Sequence, residues 1–71
     1  MQTFIDVVTL VESPSPRFPF YTVESPTGKY YVSPLGGKEA HGLREGASLR
    51  LHKVELTQYT YYTLQRNVTN V

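Results

Sequence analysis

Cysteine and tryptophan are both absent from this 71-residue chain. Without thiols it has neither a disulfide staple nor a thiolate metal site, so packing or a partner subunit must hold it together. A chain this short buries only about 60% of the surface its unfolded form exposes, which keeps the core small. Charge of either sign is scarce: seven Lys and Arg stand against six Asp and Glu, a formal net charge of +1. That balance does not mark a nucleic-acid binder, although affinity for a polyanion depends on where cations sit as well as on their number. Long apolar runs are missing too. Nothing approaches the roughly 20 residues of a membrane-spanning helix, and the first residues lack the basic flank and small-residue cleavage site of a signal peptide. These absences predict a soluble, cytoplasmic protein.

Catalytic patterns are equally scarce. His41 and His52 stand in no metal-ligand spacing, and Glu39 beside His41 reads as a solvated loop pair. There is no GxSxG, and Gly36-Gly37 alone is not a phosphate-cradling loop. A small barrel also offers little room to exclude water from a reaction. The expectation is a binding protein with no metal and no cofactor rather than an enzyme.

What the chain has is aromatic side chains, six Tyr and three Phe. Five of them fall between Arg17 and Ser33, in RFPFYTVESPTGKYYVS, which reads as a β-hairpin around Ser25-Pro26-Thr27-Gly28. Pro26 presets a turn conformation and Gly28 supplies a positive φ. Phe18 and Phe20 share one strand phase and are expected in the core. Tyr21 lies on the opposite phase, and of Tyr30 and Tyr31 one must point each way. Tyr21 and one of that pair are the expected stacking platforms. Arg17 and Lys29 flank them.

Around the hairpin, Thr3 to Glu12 is apolar in both alternation phases, the pattern of a strand covered on two sides within a barrel or a dimer. Ser13-Pro14-Ser15-Pro16 forces an extended turn, and Pro19 makes the next strand's beginning an edge or bulge. Pro34-Leu35-Gly36-Gly37 reads as a flexible joint, and Lys38 to Glu45 as a short helix or structured loop weakened by Gly42. Ala47 to Leu56 is a strand whose phase slips near His52-Lys53, which predicts a β-bulge there. Tyr59 to Arg66 is the last strand, with Tyr62 and Leu64 inward, and the NVTNV tail is expected to fray. Strand, strand, strand, short helix or loop, strand, strand is the plan of a small all-β, five-stranded OB-like barrel filling one domain.

Leu43-Arg44-Glu45-Gly46, Leu49 alternating with Leu51, then Tyr59-Thr60 and Leu64 ahead of Asn67-Val68, resemble the bacterial single-stranded-DNA-binding proteins. In those proteins a Leu-basic-x-Gly turn feeds strand four and a Thr-rich strand five follows. The chain departs from them in lacking Trp, a long loop between strands four and five, and an acidic tail. In size it is more similar to the compact dimeric single-stranded-DNA-binding proteins of bacteriophages, which stack bases on Tyr and Phe. The resemblance implies a homodimer that binds single-stranded DNA, or RNA, with little sequence specificity.

The candidate nucleic-acid-binding residues are Arg17, Tyr21, Lys29, Tyr30, Tyr31, Arg50 and His52. Arg50 and His52 share a phase opposite Leu49 and Leu51, hence point outward. For any one of Arg17, Lys29, Arg44, Arg50, Lys53 and Arg66 a solvated surface role is the simpler expectation, with Arg17, Lys29 and Arg50 preferred as phosphate contacts. The alternative is a protein-interaction module, an inhibitor or assembly subunit, because interfaces enrich Tyr and Arg for reasons unrelated to nucleic acid.

Overall fold

A computed structural model describes residues 2–65 of the chain. Its strands are β1 (Gln2–Glu12), β2 (Tyr21–Ser25), β3 (Gly28–Val32), β4 (Ser48–Glu55) and β5 (Thr60–Gln65). One 3₁₀ turn, Lys38–Ala40, sits between β3 and β4. The sheet order β3-β2-β1-β4-β5, antiparallel throughout, is that of an OB-like half-barrel, and the element order matches the sequence expectation. Among the described residues no helix is long and apolar enough to cross a membrane. Arg66 and the NVTNV tail lie outside the described residues.

β1 is the spine because it pairs on both edges. Gln2 to Thr9 run against Glu55 to Ser48 of β4, and Thr9 to Glu12 run against Glu24 to Thr22 of β2. The ladder to β2 slips between Leu10 and Glu12, so Val11 is an extra residue that bends the strand from one half of the sheet to the other. The bulge expected near His52-Lys53 is absent: β4 pairs without interruption with β1 and with β5. What looked like a phase slip is two polar side chains, Lys53 and Glu55, on the inward phase at the open end of the barrel. Lys53 places its Nζ 5.9 Å from the centroid of the Phe4 ring and 3.0 Å from Glu55, while Val54 takes the outward phase.

The even positions of β1 and the odd positions of β4 face inward. Val8, Leu10, Leu49 and Leu51 are fully buried there with Val23 and Val32 of the hairpin, and Tyr21, Leu64 and Ala40 complete the core. Phe4, Tyr30, Leu43 and Tyr62 pack against it, half-buried. Burial of an aliphatic side chain contributes roughly 1.5–3 kcal/mol, so these few positions carry most of what holds the chain together. The hairpin turns as expected, Ser25 opposite Gly28 with φ +144° at Gly28. Ser25 Oγ accepts the Thr27 N–H at 3.1 Å.

Gly36-Gly37 is a packed clasp rather than a flexible joint. The Leu64 N–H donates to the Gly36 carbonyl at 2.8 Å, which ties the segment after β3 to β5. A Cβ on Gly36 would lie 2.7 Å from the Tyr62 carbonyl oxygen, and one on Gly37 would lie 2.5 Å from the Tyr21 ring. The Tyr30 and Tyr62 rings, 5.1 Å apart, join the same two sheet edges on the inside. Glycine is therefore required here for close approach. Replacing Gly37 with Ala is expected to cost about 1–3 kcal/mol through overpacking against Tyr21. The exposed Lys38→Ala control should shift stability by less than about 0.5 kcal/mol. Urea denaturation of the three proteins checks this, and an unchanged midpoint for Gly37→Ala would contradict the clasp.

Candidate nucleic-acid interface

Ser13 to Phe20, with prolines at 14, 16 and 19, leaves the sheet between Glu12 and Tyr21. Proline has no N–H for a ladder, so the segment bonds to itself instead. The Ser15 N–H donates to the Phe18 carbonyl at 3.0 Å, the Phe18 N–H returns to Ser15 O at 3.1 Å, and the Phe20 N–H reaches Phe18 O at 2.9 Å. This knot sets Phe18 edge-on to Phe20, centroids 5.4 Å apart, and edge-on to Tyr31 of β3 at 5.1 Å. The three rings stay 40%, 39% and 53% exposed. Thr22, Tyr31's cross-strand partner on the same outward phase, is buried nonetheless. The connection is thus folded back over this end of the hairpin, and its rings form a ridge.

Phe18 and Phe20, expected in the core, are exposed instead. β2 begins only at Tyr21, so neither residue belongs to a strand with a defined inner face. Pro16 and Pro19 on either side were the signal that could have found this. Tyr21, expected to stack on a ligand, is 5% exposed. It pairs with Val32 on the phase of Val23, lies against Gly37, and stacks on His41 with centroids 5.8 Å apart. Tyr30 is also turned inward and half-buried, 6.2 Å from Phe4 and 5.1 Å from Tyr62. Thr27 gives its hydroxyl proton to Asp6 at 3.0 Å and accepts one from the Tyr30 hydroxyl at 2.9 Å. Only Tyr31 of the predicted platforms faces out.

Arg17 and Lys29 are exposed near the ridge, Arg17 next to Phe18 in the chain and Lys29 on the outward phase of β3. Carboxylates share this side, Glu24 opposite Lys29 and Glu12 opposite Thr22. Arg50 and His52 face outward as expected, but elsewhere. They oppose Val7 and Ile5 on β1, whereas the row carrying Tyr31 and Thr22 meets β1 at Glu12. Five residues of strand separate those rows, about 16 Å. His52 is half-buried, and among the described residues its enclosed Nε2 has no hydrogen-bond partner. Arg44 is exposed ahead of β4, and Lys53 faces the barrel mouth.

At that mouth a shallow cleft of about 210 Å³ is lined by Thr3, Phe4, Lys53 and Glu55. Small-molecule sites usually occupy roughly 300–1,000 Å³, so it falls short of one. The chain matches no protein-family model, no curated protein and no solved structure, and its surfaces must be read from their own chemistry. On the hairpin side that chemistry is three exposed rings with two cations and two carboxylates in the same region.

Two side chains near the aromatic interior titrate late. Burial pushes the Tyr21 phenol above its ordinary value of 10.0. A hydrogen bond to Glu55, reinforced by that carboxylate's charge, holds the Lys53 ammonium above 10.5. Both keep their protons longer in the folded than in the unfolded chain, so stability is full below about pH 10 and falls as pH rises through the folded values. Thermal melting across that range should show the fall, and Tyr21→Phe should weaken it. Parallel curves for the two proteins would contradict a buried phenol.

Proposed function

We propose that the chain binds single-stranded nucleic acid, DNA foremost, on the outer side of the β2–β3 hairpin and the loop before it. Phe18, Phe20 and Tyr31 would stack on unpaired bases while Arg17 and Lys29 neutralise phosphates. The observation that carries this reading is the ridge of three uncovered rings beside exposed cations on an OB-like scaffold. Every base has a flat face, so stacking implies little sequence preference and favours unpaired over duplex strands. The role is binding, not catalysis, and the expected setting is the cytoplasm. Tyr21 and Tyr30 leave the ligand-contacting set, and so do Arg50 and His52.

One observation favours a second reading. Glu12 and Glu24 sit on the same side as the ridge and reduce its attraction for a polyanion, which suits a protein partner gripping the same rings. Titrating a fluorescent oligothymidine separates the two. With two phosphates neutralised on a single strand, the logarithmic salt slope should be about −1.4, so raising salt from about 50 to about 200 mM weakens binding about sevenfold. Removing one stacked base's platform costs about 1–3 kcal/mol, so Tyr31→Ala or Phe18→Ala should weaken binding about fivefold to about 150-fold. Absence of binding at low salt, with one protein retained from host extract after nuclease treatment and lost in Tyr31→Ala, would select the second reading.

A further inference from the structure

The opposite side of the barrel carries a different kind of surface. The outward phases of β1, β4 and β5 align in rows: Thr3–Val54–Tyr61, Ile5–His52–Thr63 and Val7–Arg50–Gln65. Ile5 is 57% exposed and Val7 51%, and the apolar face continues through Leu56, Tyr59 and Tyr61 at the β4–β5 turn. None of the chain's six carboxylates lies in these rows; the nearest outward one is Glu24, paired with Thr9 one row beyond Val7. Asp6 and Glu55 take the inward phase, Glu12 and Glu24 belong to the hairpin side, and Glu39 and Glu45 lie between β3 and β4. Arg50, at one end of the face, is its one charged side chain among the described residues.

We infer that this face is where a second copy of the chain docks, sheet against sheet. β1 has the sequence of a strand covered on both sides, yet within one chain only its even positions are covered. With Arg50 at one end and Glu24 one row beyond it, the charges near the face are few and of opposite sign, which calls for neither a basic nor a strongly acidic partner. The face fits a copy of itself. A twofold axis along the Ile5–His52–Thr63 row would hold the two Arg50 side chains about four residues, or about 13 Å, apart. It would also set each near the Tyr61 ring of the other copy, where a guanidinium is attracted to the aromatic face. The exposed parts of Ile5, Val7, Leu56, Tyr59 and Tyr61 together offer on the order of 1,000 Å² over two copies, the lower end for a specific interface. Ile5 and Val7 at its centre have no π-face for a base to stack on, and the rings of Tyr59 and Tyr61 stand at its end. The inference is independent of the proposed nucleic-acid binding, because a dimer joined here leaves the hairpin side free.

Analytical ultracentrifugation of the full chain is the test. The wild type should sediment as a monomer–dimer equilibrium with a dissociation constant in the micromolar range, the affinity that a small interface supports. Ile5 and Val7 methyl resonances should shift on dilution. Val7→Asp places a charge at the seam and should weaken association at least about a hundredfold, and Tyr61→Ala should weaken it without adding charge. Circular dichroism verifies that each variant is folded, as expected for side chains outside the core. Phe18→Ala should leave the mass unchanged even where it abolishes oligonucleotide binding. A wild type that stays monomeric at several hundred times micromolar concentration overturns the inference. So does a dimer that survives both Val7→Asp and Tyr61→Ala, which would be joined through another face. A monomer whose oligonucleotide binding is lost in Val7→Asp overturns it as well and assigns the face to nucleic acid.

Discussion

Main chain lies against main chain where this barrel closes, and glycine alone permits it. The two edges of the sheet meet because the Leu64 N–H reaches the Gly36 carbonyl and because Gly36 has no Cβ to strike the Tyr62 carbonyl. Its neighbour Gly37 leaves the space that the Tyr21 ring fills. That one bond between Leu64 and Gly36 ties the segment after β3 to β5, while among the described residues no ladder pairs β3 with β5. The same closure makes an inside for Val8, Leu10, Leu49 and Leu51, and that inside is too small to leave any of them half-packed without a large loss.

Closure also sorts the aromatic side chains. Tyr21, Tyr30 and Tyr62 are drawn inward, where Tyr30 bridges Phe4 and Tyr62 and anchors its hydroxyl through Thr27 to Asp6. Phe18, Phe20 and Tyr31 remain outside on the hairpin, and Tyr59 and Tyr61 remain outside on the far side. The two outer sides differ in chemistry. One combines rings with charges of both signs, and the other combines aliphatic and Tyr side chains with no carboxylate. A formal charge near zero thus hides an uneven distribution, and each side calls for its own kind of partner.

Particular segments show how far linear pattern reaches. The β-branched run of β1 and the Pro-Thr-Gly corner of the hairpin are local features, and both formed as their residues dictate. That Tyr62 and Leu64 share a face followed from alternation, and the structure sets that face inward as expected. The bulge did not. Apolar residues in the wrong phase around Lys53 suggested an inserted residue, yet the true bulge is at Val11, where the phases of β1 look regular. A partly open barrel mouth tolerates an inward Lys beside Glu55, and pattern analysis has no way to know which end of a strand is open.

By itself the sequence determined the number of strands, their order along the chain, the tight turn and the all-β class, because those depend on side chains a few positions apart. Only the tertiary structure decided which rings are displayed. Tyr21 and Phe20 are neighbours, and one is sealed in the core while the other stands in solvent. Strand phase assigns two faces but not which of them is inner, and a proline-broken segment has no phase at all. The inner face is chosen by distant partners, Val32 across the hairpin and Gly37 beyond it, whose approach depends on the curvature of the whole sheet.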